Sequence, residues 1–246
     1  MATARQDLDR PAFYALRPGG WRDIVTLLHP PYTAWHLSYV ALGAAAAPRF
    51  HLVRLGAALG AFLLAVGVSA HALDELKGRP LGTSFTTPQL IALAVLSLVG
   101  AVAIGVVGIV VVSPLLAPLV LAGTFLVLAY NLELFGGRFH NDIWFAVAWG
   151  GFPAFTGYFT NALTVRPAGV LVVAACCLLS AAQRRLSTPA RELRRRTAEV
   201  SGEQRLTDGR VLELTQAHLS APLEGALSTM WLALVLLAAG LVVLRL

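Results

Sequence analysis

The sequence predicts an all-α, polytopic membrane helix bundle with about seven spans, and three observations carry that prediction. Hydrophobic residues make up 57% of the chain, mean hydropathy is +0.70, and charged residues reach only 13%, well below the roughly one quarter typical of soluble domains. Apolar windows near the ~20 residues needed to cross a ~30 Å hydrocarbon core recur along it. The Lys and Arg residues gather in alternate connecting segments, as cytoplasmic loops of membrane proteins do.

Residues 1–26 read as a polar, cytoplasmic N-terminal segment. They hold no apolar run of the kind a cleavable secretory signal needs, so none is expected. Residues 27–246 read as a single transmembrane domain with spans at 27–47, 50–70, 90–112, 114–134, 143–162, 167–182 and 227–246. The first is crowded with His29, Pro30, Pro31, Tyr32 and His36. With Trp35 and Tyr39 beside them, its histidines suit a belt at the membrane interface. The second carries one charge, Arg54, near its start. Small residues punctuate several spans, as in Gly56-x-x-x-Gly60, Gly100 with Gly105 and Gly108, and Gly150-Gly151, which lets helices approach closely. Pro153 in the fifth span frees a backbone carbonyl, tolerable beside a cavity. The sixth is short and holds Cys176-Cys177, whose adjacency suits packing better than a metal site or a disulfide. Residues 183–226 are expected to form a cytoplasmic helical hairpin. Thr188 would cap its first helix with Pro189 at the first position. Thr207-Asp208-Gly209 would turn the chain into a second helix over 210–219.

Orientation follows from charge. With the N-terminus inside, every Lys and Arg of the nineteen except Arg49, Arg54, Arg166 and Arg245 falls on the cytoplasmic side. The formal charge of +6 is then explained by topology and anionic lipid headgroups, without a nucleic-acid partner. The expected location is the plasma (inner) membrane, with the C-terminus outside.

The polar residues with chemical potential lie on that same side, in three segments. The second span ends in His71-Ala72-Leu73-Asp74-Glu75, then Lys77-Gly78-Arg79-Pro80. On a helix His71, Asp74 and Glu75 share a face, and ionisable groups at the edge of hydrocarbon point to a metal or charged ligand. Asp74 and Glu75 satisfy the oxygen preference of Mg²⁺. Adding His71, with His140 and Asp142 able to complete the set, favours a transition metal such as zinc, iron or manganese. The same groups would also serve as a helix-end cap with Arg79. After the fourth span comes Tyr130-Asn131, then Glu133, Arg138, His140 and Asp142. After the sixth comes an arginine run, where Arg184, Arg185, Arg191 and Arg194 could clamp a diphosphate by bidentate forks, or equally meet lipid headgroups. A cytoplasm-facing cavity among the second, fourth and sixth spans follows.

Several of these segments resemble the UbiA-type intramembrane prenyltransferases. The opening Leu28-His29-Pro30-Pro31-Tyr32-Thr33 with Leu42-Gly43-Ala44 is similar to that family's first helix. The acidic segment running into Arg79-Pro80, Tyr130-Asn131 at the end of the fourth span, and Trp149-Gly150-Gly151 through Pro153 to Gly157-Tyr158 add to the likeness. The family's first signature, Asn-Asp-x-x-Asp-x-x-x-Asp, holds magnesium on a prenyl diphosphate. Aligned on Arg79-Pro80, its positions fall here on Ala70, His71, Asp74 and Gly78, so Asp74 alone matches, with His71 and Glu75 as substitutes. An arginine-rich run stands where the second aspartate signature would be, and the chain has fewer spans than the family's usual bundle.

The resemblance implies transfer or other processing of a prenyl or isoprenoid diphosphate, with a small acceptor and membrane lipids as partners and Mg²⁺ as the ion. Asp74 and Glu75 would be catalytic, and with His71 would hold the metal. Arg79, Arg184 and Arg185 would contact diphosphate; Tyr130, Asn131, Glu133 and His140 would border the acceptor. The alternatives are a metal-dependent membrane oxidoreductase or hydrolase built on His71, Asp74, Glu75 and His140, and a non-catalytic lipid-binding or assembly protein on the same fold. No nucleophile elbow, phosphate-binding loop or dinucleotide fingerprint competes.

Overall fold

The computed structural model describes residues 10–246; residues 1–9 of the expected cytoplasmic segment lie outside the described residues. In chain order come α1 (Trp21–Leu27), α2 (Pro30–Ala46), α3 (Leu52–Leu76), α4 (Thr87–Val111) and α5 (Ala117–Asn131, entered through a 3-10 turn at Pro114–Leu116). Then follow α6 (residues 142–162), α7 (Pro167–Arg195), the strands β1 (Glu203–Arg205) and β2 (Val211–Glu213), and α8 (Gln216–Val243). Local chemistry starts several of these helices. Thr86 and Gln89 form a reciprocal capping box at α4. Asn141 Oδ1 accepts from Trp144 N at 3.0 Å to open α6, and Thr215 Oγ1 accepts from His218 N at 3.1 Å to open α8.

Five helices, Leu52–Leu76, Thr87–Val111, Pro114–Asn131, Pro167–Arg195 and Gln216–Val243, are long and apolar enough to cross a membrane. Their outward faces carry large apolar side chains such as Val53, Leu96, Val110, Leu121, Leu171 and Leu236, all open to the surroundings. An apolar exterior of this extent suits lipid, and the chain is an integral membrane protein.

Helices α2 and α6 pack together in the middle of the bundle. Trp35, Tyr39, Val40 and Ala44 of α2 are buried, as are Ala154 and Tyr158 of α6. Two glycines bring these helices together reciprocally: a Cβ on Gly43 would lie 1.9 Å from Ala154 O, and one on Gly157 would lie 2.0 Å from Val40 O. Backbone thus packs on backbone, with no room for a methyl group. The pair Gly56 and Gly60 expected to do this faces open space and a side chain at 3.7 Å.

Both α3 and α6 contain π-helical stretches, Leu63–Ala70 and Val147–Gly151. The wider turns release backbone carbonyls from the usual ladder.

The expected helical hairpin over 183–226 is replaced by something else. Helix α7 runs unbroken through Pro189 to Arg195, so Thr188 and Pro189 do not begin a helix. The proline forfeits one backbone bond, but burial of Gln183, Ser187 and Ala190 holds the helix on the bundle. Arg194 also pairs with Glu224 of α8, its Nη2 2.8 Å from Oε2. Beyond it the chain forms the β1-β2 hairpin in antiparallel register, Gln204 opposite Leu212. The turn at Thr207-Asp208-Gly209 is present, with Gly209 at φ +86° and Leu206 N donating to Arg210 O at 2.9 Å.

Candidate functional site

At the end of the bundle where the basic segments gather is a cavity of about 370 Å³. Its walls come from the ends of α3, α5 and α7, the starts of α2 and α6, and the segment before α1. That segment lies across the opening as a strap. Ala12 and Ala15 are buried, Leu16 N donates to Thr26 Oγ1 at 2.9 Å, and Arg195 Nε donates to Pro11 O at 2.9 Å. The strap brings Tyr14 to the cavity, edge-on to Tyr32 at 5.5 Å and 5.2 Å from the His29 ring. Burial raises the pKa of the Tyr14 hydroxyl well above its ordinary value, keeping it a neutral donor.

Four histidines line the cavity: His29, His36, His71 and His140. Each ring lies with Nδ1 against a main-chain oxygen: His29 on Leu27 O at 2.8 Å, His36 on Trp149 O at 2.7 Å, His71 on Gly67 O at 3.1 Å and His140 on Tyr130 O at 3.1 Å. The Gly67 and Trp149 carbonyls belong to the two π-helical stretches, so the irregular turns orient the rings. His29, at φ +46°, sits in left-handed backbone ahead of Pro30, an unusual conformation for a side-chain-bearing residue. It stacks on His71 with centroids 3.9 Å apart and planes at 26°. His140 stacks on Tyr130 at 4.4 Å.

The cationic wall comes from α7. Arg184 is held by Asp142 Oδ1 at 3.0 Å and Tyr130 Oη at 3.2 Å, and lies over the Phe145 ring at 5.0 Å. Arg191 makes one side-chain hydrogen bond among the described residues, a long 3.4 Å contact to Thr188 Oγ1, so most of its donors face the cavity unmatched. Arg195 lines the same wall. Opposite stands Asp74, whose carboxylate makes no hydrogen bond or ion pair among the described residues.

Of the residues singled out in the sequence, His71, Asp74, Tyr130, Asn131, His140, Arg184 and Arg191 line this cavity together. Asn131 Nδ2 donates to Val127 O at 2.7 Å, which leaves its oxygen for a ligand. Glu75, Arg79, Glu133 and Arg185 do not line it, nor do Asp142 and Arg194. Glu75 is fully buried: it accepts from Leu81 N at 2.9 Å and from both Thr83 N and Thr83 Oγ1 at 2.9 Å. Its charge is consumed in holding the loop after α3. Arg79, in left-handed backbone at φ +53°, donates to Phe85 O and to Thr87 Oγ1, the latter at 3.0 Å, pinning the entry to α4. Glu133 pairs on the outer surface with Lys77 at 2.6 Å, and the Lys77 hydrogen bond lowers its carboxyl pKa. Arg185 is exposed on the other side of α7.

These placements leave few ligands for an ion held by the protein alone. A magnesium or transition-metal site needs converging ligands, and no group of three His, Cys, Asp or Glu that could hold an ion exists among the described residues. With Glu75 sequestered, Asp74 is the carboxylate left beside His71, and the pair does not fit a protein-held ion.

Sequence reasoning missed His29 and His36 as cavity residues, along with Tyr14, Tyr32, Gln183 and Arg195. The seven-residue spacing of His29 and His36 put them on one face; their inward direction comes from α2 being the central helix.

A second, apolar cleft of about 150 Å³ lies deeper, among α3, α4, α5 and α6. Ala57, Ala61, Gly105, Gly108 and Gly123 hollow out its walls, and Val66 and Trp149 border both spaces. Comparison with protein-family models, with curated proteins and with solved structures finds no match to the chain.

Proposed function

We propose that this chain is a seven-span protein with its N-terminus in the cytoplasm, and that it binds a prenyl or related isoprenoid diphosphate and transfers or otherwise processes its isoprenoid group at a cytoplasm-facing cavity. One observation carries this reading: an arginine-walled polar cavity adjoins an apolar cleft through Val66 and Trp149. That is the form of a receptor for an amphiphilic anion, with head and tail in separate solvents. The two further spans of the proposed topology are α2 and α6.

In this reading the diphosphate sits against Arg184, Arg191 and Arg195, whose fixed charges match the charge that builds on it as its bond to carbon breaks. Tyr32, Phe145 and Trp149 give the carbon end an aromatic enclosure, which shelters an allylic cation. No step is routed through a metal, since the donor set does not fit one.

The test is equilibrium binding of a short isoprenoid diphosphate and of the matching alcohol to detergent-purified protein. The diphosphate should bind at least about tenfold more tightly, from one or two charge-assisted hydrogen bonds. Arg191→Gln should remove most of that difference and Arg185→Gln almost none. Equal binding of alcohol and diphosphate refutes the reading. Tight binding without turnover on any acceptor would make the chain an isoprenoid-binding protein instead of a transferase.

A further inference from the structure

We propose that the cavity also takes a protic acceptor, a molecule bearing a hydroxyl or amine, and that His71 receives its proton. The proposal deepens the isoprenoid reading and rests on it for the identity of the other substrate.

The argument begins with hydrogen-bond polarity. A backbone carbonyl can only accept, so each of the four Nδ1 atoms that contact one must carry a proton. In a neutral imidazole that leaves Nε2 with a lone pair, and four such acceptors border one cavity. Diphosphate oxygens are acceptors too, so these lone pairs do not serve the anion. Charging all four rings would be unfavourable, because His29 and His71 are stacked at 3.9 Å in a cavity whose α7 wall is already rich in guanidinium. Gln183 points the same way: it lines the cavity, is 2% exposed, and its Oε1 has no partner among the described residues. A cavity with this surplus of acceptors calls for a ligand that donates.

His71 is singled out by its surroundings. Asp74, one helical turn further along α3, makes no hydrogen bond or ion pair among the described residues, and its charge would offset an imidazolium on His71. The Gly67 carbonyl holds Nδ1–H and so aims Nε2 away from its own helix. In the step, the acceptor's O–H or N–H bond breaks and its proton goes to His71 Nε2. The freed electron pair bonds to the isoprenoid carbon as the carbon–oxygen bond to diphosphate breaks, and the diphosphate departs onto the arginines. Nothing is oxidised or reduced.

The probes are para-nitrophenol, colourless as the phenol and yellow as the phenolate, and para-nitroanisole, the same shape without the donor. At a pH where free nitrophenol is protonated, wild-type protein should bind it several-fold to about tenfold more tightly than nitroanisole, the worth of one hydrogen bond. The bound form should show the phenolate band. His71→Gln keeps an acceptor near the Nε2 position but no base, so nitrophenol should still bind while the phenolate band is lost. His71→Phe keeps a ring against His29 and should lose the preference for nitrophenol over nitroanisole. Size-exclusion elution at the wild-type position verifies the fold of both variants. Equal binding of the two probes by wild-type protein overturns the proposal, and so does a phenolate band that survives in His71→Gln. If the isoprenoid diphosphate does not bind while nitrophenol behaves as expected, the diphosphate reading falls and the base assignment stands.

Discussion

Replacing Gly157 by Ala tests the packing that sets the cavity wall. An added methyl carbon would lie 2.0 Å from Val40 O, 2.8 Å from Val40 C and 3.0 Å from Val40 Cα, all backbone atoms of α2. Ordinary contact begins near 3.4 Å, so α2 and α6 must separate by about 1.4 Å at this point, and no side-chain rotation can absorb it. Overpacking of a well-packed interior costs about 1–3 kcal/mol and sometimes more. Alanine's helix preference over glycine, about 1 kcal/mol, only partly offsets that. A clash this close sits at the top of that range, so the net expectation is a loss of about 2 kcal/mol, read as a clear drop in the apparent melting temperature of detergent-purified protein. Gly56→Ala is the control. Its added methyl meets nothing within 4 Å, so the helix-propensity gain should leave stability unchanged or slightly higher. The same shift should stretch the His36 contact to Trp149 O, 2.7 Å in the native packing, because that bond crosses from α2 to α6. A Gly157→Ala protein as stable as Gly56→Ala would refute the backbone-on-backbone contact.

Two adjacent acids should behave oppositely. Glu75→Gln removes a buried charge that accepts three hydrogen bonds and should cost about 1.5–3 kcal/mol in thermal stability, whereas Asp74→Asn, open to the cavity, should leave stability within about 0.5 kcal/mol and change ligand binding. The proposed topology is checked by Gly209→Cys in a chain with Cys176 and Cys177 replaced by serine. The new thiol, at the exposed tip of the β1-β2 turn, should react with an impermeant reagent in inverted vesicles alone, and labelling from the outside would reverse the orientation.

Those sequence signals that depend on chain-local physics read through to the structure. Length and hydropathy mark the five long helices, and the crowding of basic residues marks the end of the bundle that holds the cavity. Tyr130, Asn131, His140 and Arg184 could be grouped there because each lies at the end of a span or in the loop next to it. What failed needed tertiary information. Pro189 is a strong local helix-start signal, overridden by burial of Gln183 and Ser187 and by the Arg194–Glu224 pair. Glu75 is one residue from Asp74, yet the loop at Gly78–Thr83 folds back and caps its carboxylate, so nearness in sequence gave no nearness in function. The β1-β2 hairpin has three-residue strands, too short for an alternating pattern to stand out.

How a polar site arises inside so apolar a bundle follows from the irregular stretches of its helices. A regular helix commits each carbonyl once to its own ladder, and a side chain one turn on can still share it, as Asn131 Nδ2 does with Val127 O at 2.7 Å. Here the π-helical turns in α3 and α6 supply the carbonyls of Gly67 and Trp149, and His71 and His36 donate to them. The left-handed turn at His29 and the turn after Tyr130 serve the other two rings in the same way. Each bond fixes a ring's protonation pattern as well as its direction. Straightening either helix would therefore re-aim these rings without removing one of the site's side chains. Cα geometry and side-chain identity are coupled at this site, and the lipid-facing halves of α4 and α8, where no π turn occurs, hold no comparable polar cluster among the described residues.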